Sequence, residues 1–462
     1  MEISKSLLEK YDVPVPRYTS YPPANYFKDG FTESNYMELT KESINTNPES
    51  PENIAIYIHI PFCKKICYYC GCNASVMGKG DLVKPYLKAL KKEMEMVFEH
   101  IDKNRLVSQI HYGGGTPNSL SADDLKEINE YIFSNFKLID TPEIAIECNP
   151  AHLDYDYMEA LKACGFNRFS LGIQDFDTTI LEQVNRDPSK LAVENVIGKL
   201  KENRNDISVN LDFIYGLPGQ TVESFSKTIK EAVRLRPDRL VTFSYAHVPW
   251  VKKHQQILEK RGLPVAEEKM KMFLAAHDIL TASGYISIGL DHYVLPNDEL
   301  NIALKNHQLH RNFQGYCTRR TTGEVYAFGV SSISQLRMGY SQNIKDLKGY
   351  INAVEMNKLP VEKGYILSKD QLITREIITE LMCNKKISWS EVANRLNQPV
   401  QTIKENINLQ DNSLNMFVND GLLVETPDKL EVTEKGSLFI RNIAASLDKG
   451  FNQNGNTYSK SI

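Results

Sequence analysis

Three cysteines lie within one eight-residue stretch, at Cys63, Cys67 and Cys70, and Cys72 follows closely. Clustered thiols of this kind in a reducing compartment indicate metal binding rather than disulfides. A [4Fe–4S] cluster usually takes four cysteines, so three ligands would leave one iron open to a small molecule. The flanking Tyr69, near the cluster, would help to exclude water. The spacing therefore predicts an oxygen-sensitive iron–sulfur cluster on Cys63, Cys67 and Cys70.

A structural zinc site is the alternative use of the same cysteines, with Cys72 as the fourth ligand. Structural zinc sites usually take two separated pairs of ligands, whereas Cys70 and Cys72 have only one residue between them. The sequence offers no second pair nearby, and the iron–sulfur interpretation is favoured.

Six short apolar segments are predicted to be the strands that position this loop. They are residues 54–60, 109–113, 143–148, 168–173, 207–215 and 239–246, and helical patterns separate them at about 83–97, 121–136, 191–203 and 223–234. Alternating strands and helices predict an α/β fold with parallel pairing, here a partial (β/α)6 barrel, with a doubly wound open sheet as the alternative. The cysteine loop begins three residues after Ile60, at the strand end where barrel enzymes carry their chemistry.

The remaining sequence is divided by composition and pattern. We expect an extended N-terminal arm over 1–50, the barrel over 51–300, and a barrel extension that covers the substrate over 301–365. Short helices (373–382 and 389–396), a β-hairpin (421–425 and 430–433) and a final helix from about 434 predict a small helical, winged-helix-like C-terminal domain over 366–450. The segment 451–462 is predicted to be a disordered tail.

Bulk properties exclude several classes of function. The formal net charge is −4, which argues against nucleic-acid binding. No segment approaches the ~20 apolar residues that span a bilayer, and no apolar signal core begins the chain. We expect a cytoplasmic protein with no membrane association. A monomer is expected because no apolar stripe of interface size is evident.

The cysteine loop after the first barrel strand resembles that of the radical S-adenosylmethionine (radical SAM) superfamily. Within it, longer motifs resemble the oxygen-independent coproporphyrinogen III dehydrogenases along nearly the whole chain. These motifs are PRYTSYP (16–22), YIHIPF (57–62), CGCN (70–73), GIQDF (172–176), VNR (184–186), DFIYGLP (212–218), YAH (245–247), DH (291–292), HRNFQGY (310–316) and TEKG (433–436). The GGGTP motif (113–117), which follows the second strand, resembles a loop of the wider superfamily.

The resemblance implies an oxidoreductase of haem biosynthesis that converts two propionates of coproporphyrinogen III to vinyls, giving protoporphyrinogen IX. It implies a [4Fe–4S] cluster, two S-adenosylmethionine molecules per chain and a flavodoxin- or ferredoxin-like electron donor. The residues expected to contact the cluster-bound S-adenosylmethionine are Tyr57, Gly114, Glu147 and Ile333. Those expected to contact the second molecule are Gly115, Thr116, Gln174, Arg186, Asp212 and Ala246.

The chemistry of these side chains suits that ligand. Glu147 can accept from an ammonium group, Asp212 can accept from ribose hydroxyls, and Arg186 can pair with a carboxylate. Cys72 is not a cluster ligand in the family. A substrate with four propionates favours a cationic rim, for which the candidates are Arg17, Arg311 and either Arg319 or Arg320, with His59, His292 and His310 as further substrate candidates.

Two related functions stay open. A haem-binding chaperone of the same superfamily typically lacks Cys72 and the N-terminal arm, so PRYTSYP and Cys70-Gly-Cys72 argue against it. A radical methyltransferase that degrades haem shares the cluster loop and would differ in its product.

Overall fold

One mixed sheet of thirteen strands organises the computed structural model, which describes residues 4–44, 53–78, 81–318, 323–409, 413–451 and 458. The strands are β1 (Lys28–Asp29), β2 (Ile54–Ile60), β3 (Phe62–Cys63), β4 (Ser75–Val76), β5 (Val107–Gly114), β6 (Leu138–Cys148), β7 (Arg168–Gln174), β8 (Ser208–Tyr215), β9 (Arg239–Ser244), β10 (Ile286–Gly289), β11 (His292–Val294), β12 (Leu309–Asn312), β13 (Gly315–Thr318), β14 (Glu324–Phe328), β15 (Ile333–Leu336), β16 (Gly339–Asn343), β17 (Val361–Ile366), β18 (Lys386–Ser388), β19 (Leu423–Glu425) and β20 (Lys429–Val432).

Helices follow most of the strands. They are α1 (Lys5–Tyr11), α2 (Glu33–Ile44), α3 (Val83–Phe98), α4 (Ala122–Asn135), α5 (Tyr155–Ala163), α6 (Thr178–Gln183), α7 (Val193–Lys201), α8 (Val222–Leu235), α9 (Gln256–Lys260), α10 (Ala266–Ala282), α11 (Glu299–Lys305), α12 (Leu347–Glu355), α13 (Lys369–Asn384), α14 (Trp389–Leu396), α15 (Val400–Glu405), α16 (Ser413–Asn419) and α17 (Ile440–Leu447).

The six predicted strands are β2, β5, β6, β7, β8 and β9, which lie side by side in chain order and pair in parallel. A doubly wound sheet would reverse its strand order at a switch point, and this run of strands has no reversal. The predicted α/β fold with a partial barrel of parallel strands is therefore confirmed. A seventh strand, β14, pairs in parallel with β2 from within the predicted extension.

Burial explains why these segments form the core. Six of the seven residues of β2 are buried, as expected for a strand covered on both faces. Helix α3 buries Tyr86, Leu90 and Met94, which recur at helical spacing, against the same core. The parallel strands consequently end together, and the loops after them share one face of the sheet.

The N-terminal arm is partly helical, which corrects the expectation of an extended segment. Helix α1 packs into the core of the C-terminal domain through Leu7 and Tyr11. The buried side of α2 includes Tyr36 and Leu39 but also Thr40, whose hydroxyl donates to the carbonyl of Tyr36 at 3.0 Å. Because that side mixes apolar and polar residues, an apolar periodicity could not show it.

The C-terminal helices are followed by the predicted hairpin, β19 and β20, to which β18 adds a third strand. Helix α14 has the predicted bounds. The final helix begins later than expected, because a 3-10 turn at Lys435–Phe439 precedes α17. Of the predicted disordered tail the structure describes only residues 451 and 458, so that prediction lies mostly outside the described residues.

Among the helices of the described ranges, none combines the length and the apolar character needed to cross a bilayer.

Candidate active site

The cysteine loop leaves the sheet at the end of β2. Its two sides are held together by β3 and β4, where Cys63 pairs with Val76. Cys63 is buried, Cys67 and Cys70 are half-buried, and Cys72 is exposed. The loop therefore presents its three predicted ligands in a partly sheltered setting at the strand ends.

Hydrogen-bond donors surround the sulfur atoms. The hydroxyl of Thr116 lies 3.2 Å from Sγ of Cys63, and Nη1 of Arg186 donates to Sγ of Cys67 at 3.7 Å. A hydrogen bond with Cys72 lowers the pKa of Cys70 to about 6, whereas burial raises the pKa of Cys63 to about 11. Donors of this kind stabilise thiolates and tune a bound cluster.

The donor set fits a [4Fe–4S] cluster. Each cysteine ligand of such a cluster binds a different iron, so the three sulfurs need not converge on one point. A zinc ion would require four ligands at about 2.0–2.3 Å from a common centre. Within the described residues no group of three or more His, Cys, Asp or Glu side chains is arranged to hold a single ion.

The glycines of the GGGTP motif pack directly on the cysteine loop. The amide of Gly115 donates to the carbonyl of Ile60 at 2.8 Å, and that of Thr116 donates to Phe62 at 2.9 Å. A Cβ on Gly115 would lie 2.8 Å from the backbone of Pro61, and one on Gly114 would lie 2.5 Å from the ring of His59. Only glycine allows the two loops to approach this closely.

A cavity of about 330 Å³ opens at these strand ends. It brings together most of the predicted site residues: Cys63, Cys67, Tyr69, Cys70, Cys72, Gly114, Gly115, Thr116, Glu147, Gln174, Arg186, Asp212 and His292.

Two acids stand on the cavity wall with different partners. His111 donates from Nε2 to Glu147 at 3.1 Å. Ser170 and Asn210 donate to the two oxygens of Asp212 at 2.6 and 2.7 Å. Burial raises the pKa of Asp212 to about 6, despite these hydrogen bonds. Asp212 is thus a carboxylate held in one orientation with its charge only partly compensated.

Gln174 has an unusual backbone and an unused acceptor. Its φ is +71°, at a bulge where β7 leaves register with β8. Its Oε1 is buried and has no hydrogen-bond partner among the described residues. A buried polar atom without a partner costs free energy, so a ligand donor at this position would stabilise the site.

Three of the predicted site residues, Tyr57, His59 and Ile333, do not line this cavity. The hydroxyl of Tyr57 donates to Nδ1 of His59 at 3.2 Å, and Nε2 of His59 donates to the carbonyl of Asn73 at 3.0 Å. Burial lowers the pKa of His59, which suits the neutral ring that this pairing requires. Ile333 lies on β15 and packs with Phe27 and other apolar residues.

The other predicted residues line two neighbouring cavities. Arg17 and Ala246 line one of about 430 Å³, together with Lys269, Asp291 and Arg441. His310 and Arg311 line one of about 660 Å³ beside the arm residues 18–21. Arg319 and Arg320 lie outside the described residues.

Asp291 connects these cavities electrostatically. It accepts from His292 at 2.8 Å and from Arg17 at 3.3 Å. Burial opposes its ionisation, yet His292, Arg17 and Arg311 lower its pKa to about 2. Burial, with the charges of Arg17 and Arg311, also lowers the pKa of Arg441 to about 9. Three arginines thus lie around Asp291, and Asp12 is a second carboxylate near Arg441, so positive charge exceeds negative charge in this region.

Several supporting residues were not predicted from the sequence. Asn210 precedes Asp212 by two positions on β8, so both point to the same face, and this spacing could have revealed the pair. Ser170 and His111 come from other strands, and no local pattern links them to the acids. Arg441 comes from α17, more than 400 positions from Arg17 in the sequence.

Replacing Asp212 by asparagine is expected to stabilise the ligand-free protein at pH 7.5. The raised pKa means that the folded state binds the proton more tightly than the unfolded state, so stability falls as pH rises from about 4 to about 6. The neutral amide removes that loss. A shift of about two pKa units corresponds to at most about 3 kcal/mol in the free energy of unfolding. Thermal unfolding at pH 4 and pH 7.5 measures the effect.

The variant should melt higher than the wild type at pH 7.5 and close to it at pH 4. The same substitution at Asp140, exposed on β6, should change neither value. A lower melting temperature for Asp212→Asn at pH 7.5 would contradict the assigned shift.

Comparisons with known proteins agree with this geometry. The model of the radical SAM superfamily matches residues 57–232, and that of the HemN C-terminal domain matches residues 367–439. An oxygen-independent coproporphyrinogen III oxidase from Synechocystis sp. is 41% identical over 97% of this chain and 95% of its own length. The protein of that name from Escherichia coli is 37% identical over 96% of this chain and 94% of its own.

A solved structure extends the similarity to three dimensions. Coproporphyrinogen III oxidase from Escherichia coli, described as a radical SAM enzyme, superposes with a TM-score of 0.87 at 34% identity, over 98% of this chain and 100% of that one. Fold, cysteine loop and full-length similarity agree, and the chain belongs to the family of oxygen-independent coproporphyrinogen III oxidases, within the radical SAM superfamily.

Proposed function

We propose that this protein catalyses the oxygen-independent oxidative decarboxylation of coproporphyrinogen III to protoporphyrinogen IX in haem biosynthesis. Two propionate side chains become vinyl groups, and each loses a hydrogen atom, carbon dioxide and one electron, which a one-electron acceptor takes up. The observation that carries the proposal is the cavity in which the three-cysteine loop meets the glycine loop and the strand-end acids.

The cofactors supply the radical chemistry. A [4Fe–4S] cluster and S-adenosylmethionine, when bound, provide the electron transfer and the 5′-deoxyadenosyl radical that removes the hydrogen atom from the propionate. The chain's share is to hold these groups and the propionate in contact and to keep water away.

The residues would divide that work as follows. Cys63, Cys67 and Cys70 hold the cluster, and Tyr69 shields it. Glu147 accepts hydrogen bonds from the amino group of the first S-adenosylmethionine, and His111 orients the carboxylate. Tyr57, Gly114 and Ile333 are the other residues assigned to that molecule.

The second S-adenosylmethionine is assigned to the other side of the cavity. Asp212 accepts hydrogen bonds from its ribose hydroxyls, because Ser170 and Asn210 hold the carboxylate in place and compensate only part of its negative charge. Oε1 of Gln174, which has no partner among the described residues, can accept a hydrogen bond from the ligand. The planar guanidinium of Arg186 can pair with the carboxylate of the ligand. Gly115 and Thr116 contribute backbone. Ala246, which lines the neighbouring cavity, is the remaining residue assigned to that molecule.

The propionates would be held by the arginines around Asp291. Nε and Nη1 of Arg311 are buried and have no hydrogen-bond partner among the described residues, while its guanidinium stacks on Tyr316 at 5.2 Å. A carboxylate from the substrate is the natural partner for such a fork. His292 lines the cluster cavity, and His310 lines the one that contains Arg311.

Replacing Arg311 by glutamine is expected to raise KM for coproporphyrinogen III about tenfold, because one charge-assisted carboxylate bond is lost. The value of kcat and the iron content should change little. Steady-state kinetics under anaerobic conditions measure this. Arg234→Gln, at an exposed residue of α8 that pairs with Glu194 and Glu231, is the matched control and should leave KM unchanged. A wild-type KM for Arg311→Gln would remove this residue from the substrate site.

Anaerobic incubation with coproporphyrinogen III, S-adenosylmethionine and dithionite tests the reaction itself. Protoporphyrin fluorescence after oxidation is expected, with carbon dioxide released from two propionates of each substrate molecule. A methylated tetrapyrrole would identify a haem-degrading methyltransferase instead. Stable haem binding without turnover would identify a chaperone. Either outcome would refute the proposal.

We also propose a cytoplasmic location, a monomeric state and a flavodoxin- or ferredoxin-like donor. The division into an arm (1–50), a barrel (51–300), an extension (301–365) and a C-terminal domain (366–450) belongs to the same proposal.

A further inference from the structure

A surface segment covers the outer side of the cysteine loop. The docking segment, residues 248–261, connects β9 to α10 and contains a 3-10 turn and helix α9. Lys252 donates to the carbonyl of Cys72 at 2.7 Å, and His254 donates to that of Cys70 at 2.9 Å. Gln255, which is fully buried, donates to the carbonyl of Tyr69 at 2.9 Å. Three side chains of the segment thus contact the backbone of the cysteine loop, one of them at the predicted cluster ligand Cys70.

The segment itself is held in one conformation. Oε1 of Gln255 accepts from the amide of Val248 at 2.7 Å, which closes the turn on the loop. His247, just before the segment, donates to Glu259 at 2.7 Å. Arg261 stacks over Tyr68 of the cysteine loop at 5.2 Å. The surface of the segment is therefore fixed relative to the cluster loop.

The segment exposes two apolar side chains and carries an excess of positive charge. Trp250 is 63% exposed and Val251 is 65% exposed. Four cations lie in the segment against one carboxylate, that of Glu259, although the chain as a whole is acidic. The cations are Lys252, Lys253, Lys260 and Arg261. The exposed Lys64 of the cysteine loop adds to them, whereas Lys65 is paired with Asp187 at 2.9 Å.

An exposed tryptophan in a segment rich in cations is typical of a protein interface. Exposing a large aromatic side chain to water is unfavourable, and tryptophan is enriched among the residues that dominate binding energy. An excess of positive charge favours an acidic partner and speeds its association. Electron transfer further requires that the partner come close to the cluster, and this segment is in direct contact with the ligand loop.

We infer that the docking segment receives a small, acidic one-electron carrier protein, which delivers its electron through the backbone around Cys70 and Cys72. The inference rests on the proposed function, which requires such a donor. The carrier is oxidised by one electron, and that electron is accepted at the cluster. Trp250 and Val251 would provide the apolar contact, and Lys253 and Lys260 the charge attraction.

Charge reversal at Lys253 and Lys260 tests the inference. Both residues are exposed and lie outside the set assigned to cofactors or substrate. In the Lys253→Glu/Lys260→Glu variant, stopped-flow reduction of the cluster by reduced flavodoxin or ferredoxin is expected to slow at least about tenfold at low salt. Reduction by dithionite, a small reductant without a docking surface, should keep the wild-type rate.

The matched control carries the same change in charge elsewhere. Lys227 on α8 and Lys271 on α10 are 74% and 55% exposed, so Lys227→Glu/Lys271→Glu should be reduced by the carrier at the wild-type rate. Trp250→Ala should weaken carrier binding in calorimetry by about tenfold, with little dependence on salt. Calorimetric binding needs no turnover, so it separates this inference from the proposed reaction.

Wild-type reduction rates and affinity in both docking-segment variants would overturn the inference. Equal slowing in the two charge-reversal variants would also overturn it, since net charge alone would then explain the effect. If the carrier binds and reduces the wild type through this surface but no protoporphyrin forms with dithionite, the proposed reaction fails while the docking surface stands.

Discussion

Serine at Cys63, Cys67 or Cys70 is expected, in each case singly, to abolish both the brown chromophore and catalytic turnover. A hydroxyl has a far higher pKa than a thiol and is a poor ligand for iron in such clusters, where cysteine thiolates are the usual ligands. With only three protein ligands available, the loss of one leaves two irons without a protein ligand. Iron and sulfide content, the visible spectrum and anaerobic turnover measure the result.

The chain supplies two cysteine controls. Cys164 is buried at the end of α5, where its Sγ lies 3.3 Å from the carbonyl of Ala122, and serine can keep that hydrogen bond. Cys72 is exposed beside the loop and is not assigned as a ligand. Cys164→Ser and Cys72→Ser should both retain wild-type iron content. Loss of iron from Cys72→Ser, with retention in any of the three ligand variants, would require a new ligand assignment.

The parallel sheet could be predicted because its strands are buried on both faces. Segments such as residues 54–60 are then continuous apolar runs, and a helix of clear period follows several of them. Their chain order is also their spatial order, so the strand ends and the loops after them could be placed together. That placement supports the assignment of Glu147 and Asp212, whereas Gln174 is assigned from the family resemblance alone.

The parts that escaped prediction depend on contacts between distant segments. The buried side of α2 carries Thr40 and Ser43, and Ser43 donates to Glu324, a residue of β14. Its helical character therefore reflects packing on the finished sheet rather than a local apolar pattern. Likewise, Asp291 is surrounded by Arg17 from the arm, Arg311 from β12 and Arg441 from α17. Only the folded chain shows that these charges share one region.

Alanine at Gly114 is expected to lower kcat/KM at least about 100-fold. The residue has a φ of +110°, a conformation that costs a non-glycine residue about 1–3 kcal/mol. Its new Cβ would lie 2.5 to 2.7 Å from three atoms of the His59 ring. His59 cannot yield easily, because it is buried and bonded on both sides, to Tyr57 and to Asn73. Anaerobic kinetics and S-adenosylmethionine binding measure the effect.

The loss of activity arises because the two loops shift relative to each other, and not because a cluster ligand is missing. If the His59 ring moves, its bond to Asn73 breaks and the cysteine loop shifts against the glycine loop, and displacements of about 1 Å can cost 100-fold in rate. Iron content should persist because the three thiols are unchanged, whereas S-adenosylmethionine affinity should fall at least about tenfold. Gly71→Ala is the control, since Gly71 lies in the same cysteine loop, has no heavy atom within 4 Å of the added Cβ and lacks a positive φ. Full activity in Gly114→Ala would show that the two loops can separate without harm, and the close contact between them would then have no part in positioning the cofactor.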